Sequence, residues 1–194
     1  SDVFSMWNYT NLFGSWNHSV FQAPGCWVDA AHRNGTDIMS GIKFFESWTA
    51  GSGAGNWCAL ISTKNADGTY KYTKALINIL MFFGSDGINY NFEDTGYSNA
   101  DVVAFHKSLY KEAAAQGFDN FHIGIYTANS SLSAAYKEAL FGSTDTGKTA
   151  DLMLNYSGGD FTSTNAMRSS VQTAEAAMGT CEGLYTGVWF VNMD

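Results

Sequence analysis

The chain predicts an α/β fold, a (β/α)8 TIM barrel of which about six of the eight β/α units are present. Three observations carry that expectation. Short apolar runs alternate strictly with helix-patterned segments, which implies parallel strands joined by right-handed crossovers. Polar and aromatic residues gather at the C-terminal ends of the runs, the barrel face on which active sites are built. The competing open, doubly wound sheet lacks its nucleotide signature. Gly51-Ser52-Gly53-Ala54-Gly55 follows the second run, not the first, has no P-loop lysine after it, and reads as a loop.

In chain order the predicted strands are residues 12–16, 37–45, 87–92, 120–126, 151–156 and 184–190. The predicted helices between them are 27–33, 70–83, 99–116, 131–141 and 165–178. In the second helix Leu76, Ile79, Leu80 and Phe83 recur at the spacing of one buried face. Asn99 and Asp101 can cap the third helix, and Gly117 stops it. No Pro-, Gly- or Ser-rich linker divides the chain, so residues 1–194 read as one domain. A closed barrel needs roughly 200 residues at the least. Six strands leave this chain two units short, and a further chain or segment is expected to complete the wall.

Composition narrows the partners. Hydrophobic residues make up 45% of the chain and charged ones only 14%, which excludes a disordered segment. No apolar run approaches the length of a membrane-spanning helix, so membrane insertion is not expected. Ten basic residues stand against 18 acidic ones, a net charge of −8 with no basic run, which excludes nucleic acid. With 14 Phe, 10 Tyr and 6 Trp, an acidic, aromatic surface instead suits a neutral, stackable ligand such as carbohydrate. Cys26, Cys58 and Cys181 show no metal spacing and read as reduced packing thiols; neither a metal site nor a cofactor is expected. The opening Ser1-Asp2-Val3-Phe4 has no basic n-region or apolar h-region, and a mature secreted form would look the same.

The segment 83–94 carries the chemistry. Alternation along a strand puts Asn89, Asn91 and Glu93 on one face and Ile88, Tyr90 and Phe92 on the other. Polar groups on one face of a buried strand are costly unless that face lines a solvated cavity. Ordinary glycosidases use two carboxylates. Here an amide precedes a single acid by two residues, which fits a substrate that brings its own nucleophile, the oxygen of a 2-acetamido group. Glu93 then serves as acid and base, and Asn91 orients the acetamido group.

The strand resembles the G-F-D-G-W-x-I-N-x-E element of glycoside hydrolase family 85, the endo-β-N-acetylglucosaminidases. The family's Asn and Glu fall on Asn91 and Glu93. Pro24-Gly25-Cys26-Trp27-Val28-Asp29-Ala30-Ala31-His32-Arg33-Asn34-Gly35 is similar to its P-x-x-W-x-x-A-A-H-R-N-G segment. Phe44-Phe45-Glu46-Ser47-Trp48 resembles its F-x-E-W element, and Leu154-Asn155-Tyr156 its L-N-Y. The family's W-Y-D reads Ile125-Tyr126-Thr127 here, keeping the tyrosine without the acid. Its G-x-D reads Gly187-Val188-Trp189, again without the aspartate.

The resemblance implies hydrolysis of the GlcNAc-β1,4-GlcNAc bond in the chitobiose core of N-linked glycans or glycoproteins. It also implies substrate-assisted retention through an oxazoline, and transglycosylation to suitable acceptors. Glu93, Asn91 and Tyr126 are the expected catalytic set; Glu46, Trp48, Asn155, Trp16, His18, Asn89 and Trp189 are the expected sugar contacts. The strand also parses as D-x-x-D-x-D-x-E of family 18, with Asp86, Asn89, Asn91 and Glu93 in its slots. That parse implies a chitinase-like hydrolase or a weakened, lectin-like binder. The remaining histidines, His32, His106 and His122, read as structural, and Asp151 as a solvated charge below the barrel.

Overall fold

A computed structural model describes residues 4–15, 23–42, 60–92, 98–156 and 164–188. Six strands form one parallel sheet: β1 (Leu12–Gly14), β2 (Asp37–Ile42), β3 (Gly87–Phe92), β4 (His122–Thr127), β7 (Asp151–Leu154) and β8 (Leu184–Thr186). The short strands β5 (Gly142–Ser143) and β6 (Gly147–Lys148) pair antiparallel as a separate hairpin. Spatial order in the six-stranded sheet follows chain order without a reversal. A doubly wound sheet reverses at a switch point. Sequential parallel strands with same-handed crossovers wind in one direction only, and the result is a barrel wall. Among the described residues six strands of such a wall are present, and β1 and β8 each pair on one side only.

The register defines two faces. Leu12 lies opposite Asp37, Met39 opposite Gly87, Asn89 opposite Gly124, Asn91 opposite Tyr126, and Tyr126 opposite Met153. These residues share the inner face with Gly14, Gly41, His122, Asp151 and Tyr185. The outer face carries Ile38, Ile88, Tyr90, Ile123, Ile125, Leu152 and Leu154, all buried. Against it pack α2 (Thr73–Phe82), α3 (Asn99–Ala115), α4 (Lys137–Leu140) and α5 (Thr164–Met178), through Leu76, Ile77, Leu80, Val102, Phe105, Leu109, Leu140 and Ala174. Each such Leu, Ile or Phe contributes roughly 1.5–3 kcal/mol by leaving water. Helix α1 (Gly25–Arg33) presses Val28 and Ala31 onto Ile38 in a smaller cluster of its own.

Local chemistry sets the boundaries. Helix α3 is capped by Ser98, whose hydroxyl accepts from the Asp101 N–H, and not by Asn99; Gly117 at φ +72° ends it. The buried face of α2 is Thr73, Leu76, Ile77 and Leu80, whereas Ile79 and Phe83 are exposed. The expected stripe shared two of those positions but was rotated about the axis, because a threonine concealed the first one. The helix expected over 131–141 is reduced to Lys137–Leu140. The Leu132 N–H ahead of it bonds to Ser170 Oγ instead of to a helical carbonyl. The β5–β6 hairpin has strands of two residues, too short to show a period; the Glu138 carboxylate anchors it by accepting from Ser143 and Thr146.

Cys26 is exposed and Cys181 half-buried, both as free thiols, so Cys26 is not the buried packing residue that was expected. Cys58 lies outside the described residues. No helix among the described residues is long and apolar enough to cross a membrane.

Candidate active site

The inner face of the wall encloses a cavity of about 570 Å³. Leu12, Met39, Met153, Tyr185 and Val188 supply apolar lining, and Asn89, Tyr126, Tyr156 and Asp151 the polar groups. Small residues make room there for the side chains of Asn89 and Met39. Gly41 and Gly124 stand opposite Asn89 on the two adjacent strands. A Cβ at Gly14 would lie 2.9 Å from Asn89 Nδ2. The Asn89 amide lies in that trough and donates to the Ser15 carbonyl at 3.2 Å.

Above Asn89, at the C-terminal ends of the strands, Asn91 of β3 and Tyr126 of β4 stand side by side in register. Asn155, just past β7, donates its Nδ2–H to the Tyr126 hydroxyl at 2.6 Å. The Tyr156 ring stacks on that of Tyr126, with centroids 6.0 Å apart and planes inclined by 19°. Four of the expected site residues, Asn89, Asn91, Tyr126 and Asn155, therefore meet on one face of the wall. Glu93, Trp16, His18, Glu46, Trp48 and Trp189 lie outside the described residues.

At the opposite end the floor is ionic. His122 Nδ1 lies 2.9 Å from Asp151 Oδ2, and its Nε2 3.1 Å from Asp37 Oδ2. Lys148 reaches the other oxygen of Asp151 at 3.2 Å. The Asp151 hydrogen bond, followed by the charges of both acids, raises the imidazole pKa above its ordinary value despite burial. Asp151 is thus an ion-paired residue of the floor and not the solvated charge expected.

Two further polar groups buttress β3. Ser85 Oγ donates toward the Ile38 and Gly87 carbonyls and accepts from the Ser40 N–H. Asp86 Oδ2 accepts from the Ile38 N–H at 2.7 Å and bonds His32 Nε2 at 2.7 Å, latching β3 to β2 and α1. Behind the strand, the Tyr90 hydroxyl and His106 Nε2 are hydrogen-bonded in the core. Burial pushes His106 down to about 3, so its ring is neutral, and drives the Tyr90 phenol well up.

A family model described as glycosyl hydrolase family 85 matches residues 2–188. The chain belongs to glycosyl hydrolase family 85. It is similar to the cytosolic endo-beta-N-acetylglucosaminidase of Mus musculus, 29% identical over 93 residues. The match to the Gallus gallus protein of the same name is equally 29% over 93 residues. Each match covers 47% of this chain but only 12% of the relative. Among solved structures it resembles the Bacillus cereus spore cortex-lytic enzyme SleL with a TM-score of 0.56 at 13% identity, over 98% of this chain and 48% of that one. At that identity the likeness concerns the TIM-barrel fold alone.

Family 85 membership places a glycoside hydrolase framework on these strands, with Asn91 on the inner face as the alternation required. Two contributors were not among the expected site residues. Tyr156 stood at the end of a predicted strand and of L-N-Y but was given no role, yet its ring lines the cavity. The glycine positions carried a signal in principle, since Gly14, Gly41 and Gly124 fall on three different strands. Their convergence depends on register, which the sequence does not display. Among the described residues no cluster of three or more His, Cys, Asp or Glu side chains is arranged to hold a metal ion.

Proposed function

We propose that this family 85 chain carries an endo-β-N-acetylglucosaminidase site that cleaves the GlcNAc-β1,4-GlcNAc bond of the N-glycan chitobiose core. The observation that supports this best is Asn91 beside Tyr126 on the inner face, at the C-terminal strand ends, over a cavity with room for sugar. In sequence Glu93 is the next residue of the same alternating series.

The acetamido oxygen of the sugar on the non-reducing side of the scissile bond attacks its own anomeric carbon. Glu93 protonates the departing glycosidic oxygen, and the C1–O bond breaks as the ring of an oxazoline forms. Asn91 hydrogen-bonds the acetamido group and holds its oxygen on the attacking face. Glu93, now a carboxylate, takes a proton from an incoming water, which opens the oxazoline with net retention. An acceptor sugar in place of that water gives transglycosylation. No cofactor enters the scheme. Tyr126 contributes a hydroxyl to the acetamido end; Glu46, Trp48, Trp16, His18, Asn89 and Trp189 form the sugar-contact set. A further chain or segment supplies the two remaining strands of the wall.

The test is release of free glycan from a high-mannose glycoprotein by the parent, Glu93→Gln and Asn91→Ala. Loss of the acid/base is expected to cost roughly 10²–10⁴-fold in kcat. A fully active Glu93→Gln variant would sink the assignment. Tight glycan binding by a parent that turns nothing over would favour a lectin instead.

A further inference from the structure

We propose that Asn155 and Tyr156 are positioning residues: together they fix the phenol of Tyr126 so that its O–H is donated in one direction only. The inference rests on the function proposed above. It alters the role of Asn155, which acts through Tyr126 and not on the sugar.

Three observations carry it. First, the polarity of the Asn155–Tyr126 bond is set by the amide, whose Nδ2–H donates to the phenol oxygen at 2.6 Å. A phenol oxygen accepts and donates close to the plane of its ring. Once an N–H occupies one in-plane direction, the O–H proton is left with the other. Accepting a hydrogen bond also polarises the O–H and makes it a better donor. Second, Tyr156 stacks on the Tyr126 ring at 6.0 Å and 19°, which restrains the ring plane and so selects what "in-plane" means.

Third, the segment that bears both residues is itself held. The Asn155 N–H donates to the Asn129 carbonyl at 2.9 Å, and the Gly187 N–H to the Leu154 carbonyl at 3.0 Å. A Cβ at Gly187 would sit 3.0 Å from Tyr156 Cβ, so the end of β8 closes tightly on the clamp. Met153, two residues before Asn155, is in register with Tyr126, so Asn155 follows it on the inner face at the level just above. The clamp is therefore anchored to β4, β7 and β8 together. A phenol fixed this way meets the acetamido group without first losing rotor freedom, the kind of preorganisation that raises kcat more than it lowers KM.

The test is a double-mutant cycle on a chitobiose-cored glycan, measuring kcat, KM and thermal midpoint for the parent, Asn155→Ala, Tyr126→Phe and the double variant. Asn155→Ala is expected to lower kcat about tenfold, with KM within about threefold of the parent. On the Tyr126→Phe background the same substitution is expected to cost no more than about twofold, because the group it acts through is gone. Asn155→Asp keeps the shape but replaces the donor by an acceptor, which draws the phenol proton inward; its loss is expected to equal or exceed that of Asn155→Ala. Tyr156→Ala, which removes the stacked ring, is expected to lower kcat in the parent background and to have little further effect on the Tyr126→Phe background.

Equal losses from Asn155→Ala in both backgrounds would overturn the proposal, as would parental kcat in Asn155→Asp. A parent that neither cleaves nor binds the glycan refutes the proposed function, and this inference falls with it. A parent that cleaves with an additive cycle refutes the clamp alone.

Discussion

Replacing His122 by Ala removes the one group that joins Asp37 of β2 to Asp151 of β7. The side chains of His122, Asp37 and Asp151 keep 26%, 33% and 12% of their surface, so the bridge lies between two measured limits. Exposed pairs contribute at most about 1 kcal/mol, and breaking a fully buried one costs about 3–5 kcal/mol. Two half-shielded, charge-assisted bonds therefore amount to roughly 2 kcal/mol. For a chain of this size that corresponds to about 4–8 °C in thermal midpoint. The pH dependence follows from the raised pKa of His122. The native state holds the proton more tightly than the unfolded chain, so unfolding releases it. The stabilisation is fully present below the unfolded value, about 6.5, and is lost as pH rises through the higher folded value. Calorimetry at pH 6 and pH 9 reads this directly: the deficit of His122→Ala against the parent is expected to be largest at pH 6 and to shrink at pH 9. An equal deficit at both values would refute the protonated bridge, and no deficit at either would refute the bridge itself.

Three other substitutions test the framework. Gly87→Ala would place a Cβ 2.2 Å from the His122 carbonyl oxygen, a backbone atom that cannot swing aside; a loss of at least about 2 kcal/mol is expected in urea unfolding. Ser98→Ala removes the hydroxyl that caps α3 and is expected to cost about 1 kcal/mol, a fall of roughly 2–4 °C by circular dichroism. In α2 the buried Leu80→Ala should cost about 2–5 kcal/mol, while the half-exposed Phe83→Ala stays within about 0.5 kcal/mol. A Phe83→Ala loss as large as that of Leu80→Ala would restore the helix phase expected from sequence, in which both are buried.

What the sequence made legible follows from which signals are local. The outer faces of β3, β4 and β7 are runs of Ile, Leu and Tyr at alternate positions, and α3 and α5 between strands are long. Among the described residues that pattern placed the six strands of the parallel sheet, the helices α1, α2, α3 and α5, and the β3 face that carries Asn89 and Asn91. The phase of α2 was misread because two overlapping stripes share Leu76 and Leu80, and Thr73 does not look apolar. The ionic floor was invisible for another reason. His122 meets a partner 85 positions earlier and another 29 positions later, across a strand that lies between them. No local spacing encodes that meeting. It depends on strand stagger and on Gly87, which stands in register between Met39 and His122 and presents no side chain on the inner face. The clamp on Tyr126 likewise joins residues 29 apart that only the β4–β7 register brings together.

β3 divides the labour of the whole wall. Its even-numbered residues, Ile88 and Tyr90, are buried against the helices, where the Tyr90 hydroxyl also bonds His106 Nε2. Stability gathers on that outer face. The odd-numbered residues can therefore be polar, but only if their neighbours yield space and hydrogen bonds, since a buried amide left unmet costs about 1–3 kcal/mol. Gly14, Gly41 and Gly124 yield the space around Asn89, and the Ser15 carbonyl meets its amide. One level higher the requirement passes to Asn91 and to Tyr126, whose hydroxyl Asn155 meets and whose ring Tyr156 stacks upon. Gly14 and Gly124 contribute no side chain of their own, yet they give Asn89 and Met39 their places on the inner face. A Cβ at Gly14 would press on the Asn89 amide at 2.9 Å, and one at Gly124 on the Met39 thioether at 2.5 Å, so either would reach the level of Asn91 only through those side chains.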